Sequence, residues 1–345
     1  MAGSAWAGGR QQADGVRIGL LMRNTHEQFL ADYTENVRRL AAERGVSLNV
    51  QDAFGAADTQ LTQLQTLINQ GYRHFVIIPV ASDLADIMNR MIADVGGAAA
   101  YSNIAPTVSS LLMGEHFFWA SSPEAIGGRY QGNLIADFFD ANPARAPGRV
   151  INMLLILGEL GHPAQVHRQS GLLDGLRDRG YTVNVVAEGT ANWAPDQAND
   201  LMNAWIASFA GQFNVVAAQN DGMALGAVQS LIHNGMITPA PVAGTRLTVP
   251  VFGIDATAAA IASMRDYELF ATVLQDSVGQ SRVAFDLMYQ VATGAFQLGN
   301  AAGGVPAATA PIAEAPANDA RIIRQNYLVP FVPVDRASEF FRNHP

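Results

Sequence analysis

The sequence predicts an α/β protein built from two similar halves, each with a sheet of parallel strands. Two observations support this class. Short β-branched or aliphatic runs alternate with segments of helical period at a spacing of roughly 30 residues, which is typical of parallel α/β layers. The chain has 345 residues, which favours two domains over one compact core. No run of about 18 uninterrupted apolar residues occurs, so no membrane-spanning helix is expected.

In the first half, a strand at residues 16–22 is expected to follow a flexible arm at residues 1–15. Thr25 and Gln28 form a Thr-x-x-Gln pattern that can satisfy two amides at a helix start, and Gly45 can end that helix. The other expected elements of this half are strands at 46–50, 75–78, 98–101 and 116–120 and helices at 59–69 and 84–95, with a connection at 103–114.

The second half repeats the alternation. Residues 238–246 are predicted as a surface loop, and the Ala/Pro-rich residues 300–317 as an exposed linker or excursion. Prolines at 330 and 333 favour an edge or crossover strand within the β-like residues 322–334, before a short helix-like end at 336–343. The remaining expected elements are strands at 150–157, 182–186, 214–218 and 249–253 and helices at 126–139, 166–179, 195–209, 223–233 and 256–264.

Composition and motifs exclude several functional classes. The net charge of -9 and the absence of lysine disfavour a general nucleic-acid binder, which needs clustered positive charge. The absence of cysteine rules out disulfides, thiolate metal sites, iron–sulfur clusters and cysteine nucleophiles. No dinucleotide-binding glycine motif follows the first strand, and the P-loop, zinc-protease and nucleophile-elbow patterns are missing. An active site without a recognisable motif stays an open alternative.

Polar and aromatic residues follow the predicted carboxyl ends of several strands, where open parallel sheets place their ligand sites. A neutral sugar needs this mixture, because its hydroxyls donate and accept hydrogen bonds while its C–H faces pack on aromatic rings. In chain order, the candidates are Glu27, Phe29, Asn103, His162, Gln165, Arg168, Trp193, Asn220, Asp221, Asp255 and Gln275.

Most of these residues also have a purely structural interpretation. Asp255 could cap the helix that follows it, Asn220 could cap another, and Phe29 could belong to the core. His162 and Arg168, near a helix start, could form a solvated surface cluster. The core interpretation is weaker for Trp193, because that residue sits in a polar loop at 190–196.

Five segments together resemble a known family. They are residues 158–163 (Gly-Glu-Leu-Gly-His-Pro) with Arg168, Trp193 in its loop, residues 218–227, residues 250–255 and residues 329–335. From about residue 16 to the end, the chain resembles the periplasmic hexose-binding proteins of ABC transporters, in particular the galactose/glucose-binding proteins. The resemblance implies a type I periplasmic-binding-protein fold, in which two Rossmann-like lobes joined by three hinge strands close over one sugar.

The resemblance also implies boundaries and roles. The N-terminal lobe would take residues 16–119 and 277–328, the C-terminal lobe residues 122–274 and 332–345, with hinges near 120–122, 274–277 and 329–332. Phe29 and Trp193 would sandwich the pyranose ring. The sugar hydroxyls would bind to Asn103, His162, Arg168, Asn220 and Asp255.

The chain departs from the family at several positions. Glu27 stands where the family usually has Asp, Ala164 where an Asp is expected, and Gln275 where an Asn is expected; Gln165 is a candidate replacement for the missing carboxylate. The family's acidic calcium loop corresponds to residues 142–152, which contain two arginines and no carboxylate. No metal is therefore expected there.

The expected function is capture of D-glucose or D-galactose and delivery to an ABC permease, by a monomer without catalysis or cofactor. The resemblance implies a periplasmic location, with a lipid anchor before N-terminal trimming as one variant. Two alternatives stay open: sensing for a chemoreceptor or other signalling partner, and an enzyme acting on sugars. The enzyme would need a pair of carboxylates set across a glycosidic bond, but Glu27 and Asp255 are each explained as acceptors for sugar hydroxyls. A repressor is disfavoured, because no basic helix-turn-helix fits in the 15 residues before Val16.

Overall fold

A computed structural model of the chain describes residues 15–297 and 324–344, together with the backbone of residues 305–306. The chain divides into two compact units. The first contains the described residues up to Asn24, then Tyr33–Ala120 and Val278–Tyr327, and the second contains Thr25–Asp32, Ser121–Ser277 and the residues from Leu328 onward. In the described ranges, no helix is both long and apolar enough to span a bilayer.

The first unit is built on a seven-stranded sheet with the strand order β13-β14-β5-β4-β3-β1-β2. Within this order, the neighbouring strands β5, β4, β3, β1 and β2 all pair in the parallel direction. Its strands are β1 (Arg17–Met22), β2 (Ser47–Asp52), β3 (His74–Ile77), β4 (Ala98–Tyr101), β5 (Phe117–Ser121), β13 (Val305–Pro306) and β14 (Asn326–Leu328), and its helices are α1 (Gln28–Glu43), α2 (Ala57–Asn69), α3 (Leu84–Ala93), α4 (Val108–Leu111) and α10 (Ser277–Ala292).

The core of the first unit explains why its central strands are almost wholly apolar. Strands β1, β3 and β4 are buried along nearly their whole length, as expected of parallel strands covered on both faces. One side of the sheet packs Phe75 and Tyr101 against Leu64 of α2 and Met88 of α3. Gly19 in β1 leaves room for Phe75, since a Cβ there would lie 2.8 Å from the ring.

The second unit has a parallel sheet with the order β11-β8-β6-β7. Strand β12 continues it through parallel bridges from β11, and β15 pairs with β12 in the antiparallel direction. Its strands are β6 (Val150–Leu157), β7 (Thr182–Thr190), β8 (Val215–Ala218), β9 (Ile237–Val242), β10 (Thr245–Leu247), β11 (Val251–Phe252), β12 (Thr272–Leu274) and β15 (Val332–Val334), and its helices are α5 (Glu124–Ala141), α6 (Pro163–Asp178), α7 (Pro195–Phe209), α8 (Asp221–His233), α9 (Ala258–Arg265) and α11 (Glu339–Asn343), with short 3-10 turns at Pro143–Arg145 and Pro147–Arg149.

Helices α5 and α6 pack with their backbones in contact. A Cβ at Gly128 would lie 2.1 Å from the carbonyl oxygen of Arg168, and a Cβ at Gly171 would lie 2.1 Å from that of Ala125. Only glycine permits this approach, because any side chain would overlap the facing backbone. The contact brings the start of α5, at Glu124, next to Arg168 on α6.

The observed elements confirm the expected α/β alternation and correct it in places. Helix α1 begins at Gln28 and not after Thr25, because its first helical hydrogen bond runs from the Ala31 amide to the Glu27 carbonyl; the expected cap is wrong. Gly45 ends that helix as expected, with φ 64.

Three further differences concern whole elements. Residues 238–246 are not a loop, because β9 and β10 form an antiparallel hairpin whose prolines lie at an edge. Helix α4 interrupts the expected connection, and helix α10 had no predicted counterpart. The expected arm lies outside the described residues up to position 14, and so does the stretch 300–317 except for β13.

Candidate functional site

The carboxyl ends of the second unit's parallel strands bring together most of the candidate residues. Strands β6, β7, β8, β11 and β12 all run in the same direction, so their carboxyl ends lie at one edge of the sheet. The residues that follow these ends are His162, Gln165, Arg168, Trp193, Asn220, Asp221, Asp255 and Gln275.

Arg168 is the centre of this group and is 3% exposed. Its Nε donates to Glu124 Oε2 at 2.7 Å, its Nη1 to the carbonyl of Gln219 at 2.6 Å, and its Nη2 to Gln275 Oε1 at 2.8 Å. Asp255 Oδ1 lies 3.9 Å from Nη1, beyond hydrogen-bond distance. The Arg168 side chain is therefore a buried cation with a fixed orientation, and the surface-cluster interpretation is wrong for it.

Glu124 belongs to this group of side chains and was not among the sequence-based candidates. It is 8% exposed, and its second oxygen, Oε1, accepts a hydrogen bond from Gln275 Nε2 at 2.9 Å. One carboxylate thus fixes both Arg168 and Gln275. No sequence pattern pointed to it, because it lies at the first position of α5, 44 residues before its partner.

Asp255 presents a buried carboxylate that is unsatisfied by the protein. Within the described residues it accepts no hydrogen bond, although it is 8% exposed. Its backbone has φ 130 and that of Ala256 has φ 57, both in the region that L-residues rarely adopt. The cap of helix α9 is Thr257, so the capping interpretation of Asp255 is wrong. A buried acceptor held in a strained backbone is suited to a ligand that brings its own donors.

Burial and neighbouring charge act on this carboxyl together. Burial raises the pKa of Asp255 well above its usual range, and Arg168 opposes the rise. The negative charges of Asp221, Glu124 and Glu27 add to it. Asp255 therefore holds its proton more readily than an exposed aspartate does.

Asp221 has a structural role beside it. This residue is fully buried, and its carboxylate accepts hydrogen bonds from Thr272 Oγ1 at 2.6 Å and from the Thr257 amide at 2.8 Å. Burial raises its pKa to about 6, while the hydrogen bonds from Thr272 and Thr257 oppose the rise. Asp221 ties the start of α8 to β12 and to the loop that carries Asp255.

Trp193 supplies an apolar ring at the same edge. It is 6% exposed and has φ 64, and a Cβ at Gly158 would lie 2.1 Å from its ring. The His162 ring meets it edge-on at 5.2 Å between centroids. Its indole Nε1 has no hydrogen-bond partner in the described part of the chain. Although the ring packs with the core, its strained backbone and unpaired donor are features of a binding residue.

The side chains of His162 and Asn220 already make hydrogen bonds within the protein. His162 caps α6, with Nδ1 accepting from the Ala164 amide at 3.1 Å, and Asn220 caps α8, with Oδ1 accepting from the Met223 amide at 2.9 Å. The capping interpretation of Asn220 therefore holds, and its Nδ2 donates to the Trp193 carbonyl at 3.2 Å.

Gln165 and Gln219 form a second amide link in this region. Gln219, fully buried and absent from the sequence-based candidates, donates to the Gln165 carbonyl at 2.8 Å and accepts from the Gly158 amide at 2.9 Å. Gln165 Nε2 donates to Gln169 at 3.0 Å, so its side chain is held along α6.

Three candidates follow strands of the first unit's sheet. Glu27 and Phe29 come after β1, Glu27 half-buried just before α1 and Phe29 buried within its first turn. Asn103 follows β4, is half-buried and has φ 60, a conformation that Asn tolerates better than most residues. The roles of these three residues stay predictions.

An arginine organises residues 142–152, where no metal was expected. Arg149 donates to the carbonyls of Arg179 at 2.7 Å and Gly180 at 3.3 Å, next to the carboxyl end of α6, and pairs with Asp140 at 3.0 Å. Its guanidinium also lies 4.1 Å from the centre of the Tyr181 ring. Among the described residues, no group of three or more His, Asp or Glu side chains is placed to hold a metal ion.

Comparison with known proteins assigns the chain to a family. A sequence model described as "Periplasmic binding protein domain" matches residues 18–295. The chain belongs to the periplasmic binding protein family. The resemblance found in the sequence is thereby confirmed.

Curated relatives of this periplasmic binding protein have described ligands. The chain is 32% identical to the "Putative rhizopine-binding protein" of Rhizobium meliloti, over 81% of either chain. It is 27% identical to the D-galactose/methyl-galactoside binding periplasmic protein of Haemophilus influenzae, over 81% of this chain and 82% of the relative.

Solved structures confirm the expected type I fold. An ABC transporter solute binding protein from Bacillus halodurans C-125 with bound myo-inositol aligns with TM-score 0.73 and 24% identity, over 95% of this chain and 96% of the other. A periplasmic solute binding protein from Actinobacillus succinogenes 130z with bound D-allose aligns with TM-score 0.75 and 18% identity, over 95% and 100%.

The site of this periplasmic binding protein can therefore donate, accept and stack. Arg168 uses three of the five N–H groups of a guanidinium on protein acceptors, which leaves two for a ligand. The Asp255 carboxyl group accepts no hydrogen bond from the described residues, and Trp193 has an aromatic ring at the same edge. Nothing in this arrangement provides a nucleophile with an adjacent base.

Proposed function

We propose that this protein captures a small uncharged polyhydroxylated molecule, a monosaccharide or a cyclic polyol, and delivers it to an ABC permease. The observation that carries the proposal is the buried Asp255 carboxylate without a protein donor, next to the fixed Arg168 guanidinium. A hydroxyl group can donate to the first and accept from the second, so a polyol satisfies both.

D-Glucose and D-galactose are the first ligands to test. The relative from Haemophilus influenzae is named for D-galactose, and those from Rhizobium meliloti and Mycolicibacterium smegmatis are named for rhizopine and xylitol. Solved structures of similar fold hold myo-inositol and D-allose. These names support the polyhydroxylated class and leave the choice within it to measurement.

In the proposed site, Trp193 and Phe29 contact the apolar faces of the ligand. Hydroxyl groups bind to Arg168, Asp255, Asn220, His162 and Asn103, while Glu27, Gln165 and Gln275 complete the polar lining. Binding stabilises the closed arrangement of the lobes, because only closure makes the full set of contacts. The protein acts as a periplasmic monomer, without catalysis or cofactor, and its permease recognises the closed form.

Isothermal titration calorimetry of the ligand-stripped protein tests this function. D-Glucose, D-galactose, D-ribose, D-xylose and myo-inositol are titrated separately in the presence of EDTA. We expect micromolar or tighter binding of at least one, and a loss of at least tenfold in Trp193→Ala. Absence of binding to all five would contradict the proposal, and unchanged affinity in Trp193→Ala would contradict the site.

The second candidate, a sensory role, rests on the same binding event with a different partner. Genes for a permease and an ATPase beside the gene of this protein favour transport. A chemoreceptor gene in that position favours sensing.

A further inference from the structure

We propose that Glu124 makes the site selective for uncharged ligands, because its carboxylate neutralises the Arg168 guanidinium that would otherwise attract a carboxylate-bearing sugar. This inference rests on the proposed function, since it concerns the selectivity of the same site. It assigns Glu124 as a positioning and selectivity residue that acts through Arg168.

The hydrogen bonds of Glu124 show that it serves the protein and not the ligand. Oε2 accepts from Arg168 Nε at 2.7 Å, and Oε1 accepts from Gln275 Nε2 at 2.9 Å. Both oxygens thus point at protein donors. The Asp255 carboxylate accepts no hydrogen bond in the described residues. The two carboxylates therefore have different roles: Glu124 compensates the charge of Arg168, and Asp255 can accept hydrogen bonds from a ligand.

The environment makes this compensation strong. The side chains of Arg168 and Glu124 are 4% and 8% exposed, so water screens their charges poorly. Attraction to Glu124, Asp255 and Asp221 more than offsets the effect of burial and raises the pKa of Arg168, which stays charged. The charges of three buried carboxyl groups, Glu124, Asp255 and Asp221, thus act on this one guanidinium.

A guanidinium without a nearby carboxylate is a good receptor for a ligand carboxylate, because the two groups match in a bidentate geometry. Here the Glu124 carboxylate already occupies Nε, and Gln219 and Gln275 take one hydrogen each from the terminal nitrogens. An anionic sugar would meet a compensated cation and the Asp255 carboxylate. An uncharged sugar of the same shape carries no such penalty.

Helix packing fixes the pair in register. The glycine contacts between α5 and α6 hold the backbone of Arg168 against Gly128 and that of Gly171 against Ala125, in the first turn of α5. The backbones of Glu124 and Arg168 therefore stay close together as long as the two helices stay packed. The compensation is built into the fold and does not depend on a flexible surface pair.

The test compares ligands that differ only in charge: D-galactose, D-galacturonate and D-galactosamine, and the matching D-glucose series. Calorimetry gives the dissociation constant of each with wild-type protein and with Glu124→Gln. We expect the variant to lower the ratio of galacturonate to galactose dissociation constants at least tenfold and to weaken galactosamine binding relative to galactose. A purely structural defect would weaken all three ligands together.

Two further variants complete the test. In the double variant Glu124→Gln/Gln275→Glu, the carboxylate moves to the other end of the hydrogen bond between these two residues. The double variant should restore the wild-type ratio of galacturonate to galactose dissociation constants. It also tests the proposal if Glu124→Gln alone does not fold. Glu188→Gln, the same change at an exposed site that bonds Gln169, should leave the ratio unchanged.

An unchanged ratio in folded Glu124→Gln, or a double variant that accepts galacturonate as readily as galactose, would overturn the proposal. Failure of the wild-type protein to bind any uncharged member of either series is a different result. That result would contradict the proposed function itself and not only the role of Glu124.

Discussion

Gly158 packs against the indole ring of Trp193: a Cβ at position 158 would lie 2.1 Å from two of the ring carbons. The glycine is therefore what allows the ring to occupy its place at the carboxyl end of β6. The position of Gly158 directly after β6 thus has a steric reason, namely room for the Trp193 ring, that cannot be seen in the sequence.

Gly158→Ala should displace the Trp193 ring and weaken ligand binding at least tenfold, because the added methyl overlaps the aromatic carbons. Calorimetry with the best wild-type ligand measures the loss, and circular dichroism verifies the fold. Gly222→Ala is the matched control, since its Cβ would lie 3.4 Å from the Trp193 carbonyl oxygen, an ordinary contact. Equal affinity in Gly158→Ala and wild type would refute the steric role.

Gly171→Ala should lower the free energy of unfolding by about 1–3 kcal/mol, the usual cost of overpacking. The new methyl would lie 2.1 Å from the Ala125 carbonyl oxygen, so α6 must move away from α5 and carry Arg168 with it. Urea denaturation measures the stability, and calorimetry should show weaker binding in the protein that remains folded. Ser170→Ala, at the exposed neighbouring position, should change neither quantity.

Asp221 should make the protein less stable as the pH rises from about 4 to about 6. Its pKa is raised from 3.8 to about 6, so the folded state keeps this proton over a range in which the unfolded state has lost it. The free energy of unfolding therefore falls across that range and is level above it. Since a pKa difference of one corresponds to about 1.4 kcal/mol, the decline is on the order of 2 to 3 kcal/mol.

Urea denaturation of wild type and Asp221→Asn at pH 4, 5, 6 and 7 checks this slope. The asparagine oxygen can still accept from the Thr257 amide, so the fold should persist. We expect the stability difference, wild type minus variant, to fall with rising pH. A difference that rises with pH would have the wrong sign for a raised pKa.

Arg149→Met should lower the free energy of unfolding by about 1 kcal/mol, because the guanidinium binds two carbonyls next to the end of α6 and covers the Tyr181 ring. Thermal denaturation with EDTA or with added calcium should give the same midpoint. Arg177→Met is the control, as that arginine makes an exposed pair within one helix turn. A higher midpoint with calcium would contradict the expectation of a loop without metal.

Most of the fold could be predicted from the sequence, because the central parallel strands β6 and β8 of the second unit are mainly apolar runs between helical patterns. Strand β6 matched its expected bounds, 150–157. The hairpin of β9 and β10 could not be predicted, since its two prolines and a glycine are residues typical of a loop. The start of α1 was misplaced because Thr-x-x-Gln describes a possible cap and not the actual first hydrogen bond.

The candidate site was predictable only where a residue type and a strand end coincide. Arg168, Trp193 and Asp255 were predicted in this way, and the structure places them at one edge of the second unit's sheet. Glu124 and Gln219 were missed, because their importance comes from partners 44 and 51 residues away in sequence and from helix contacts that no local pattern encodes. Long-range hydrogen bonds of this kind become visible only in three dimensions.

Each compact unit is assembled from three separate stretches of chain, with a consequence for synthesis. Asn36 bonds to Ser281, which lies 245 positions later, and Ser122 bonds to Val329, 207 positions later. Strand β14, which borders β5, and strand β15, which borders β12, both lie in the last 20 residues of the chain. A nascent polypeptide can therefore complete neither unit before residues 326–334 have been synthesised, and folding should be slow relative to proteins with local contacts.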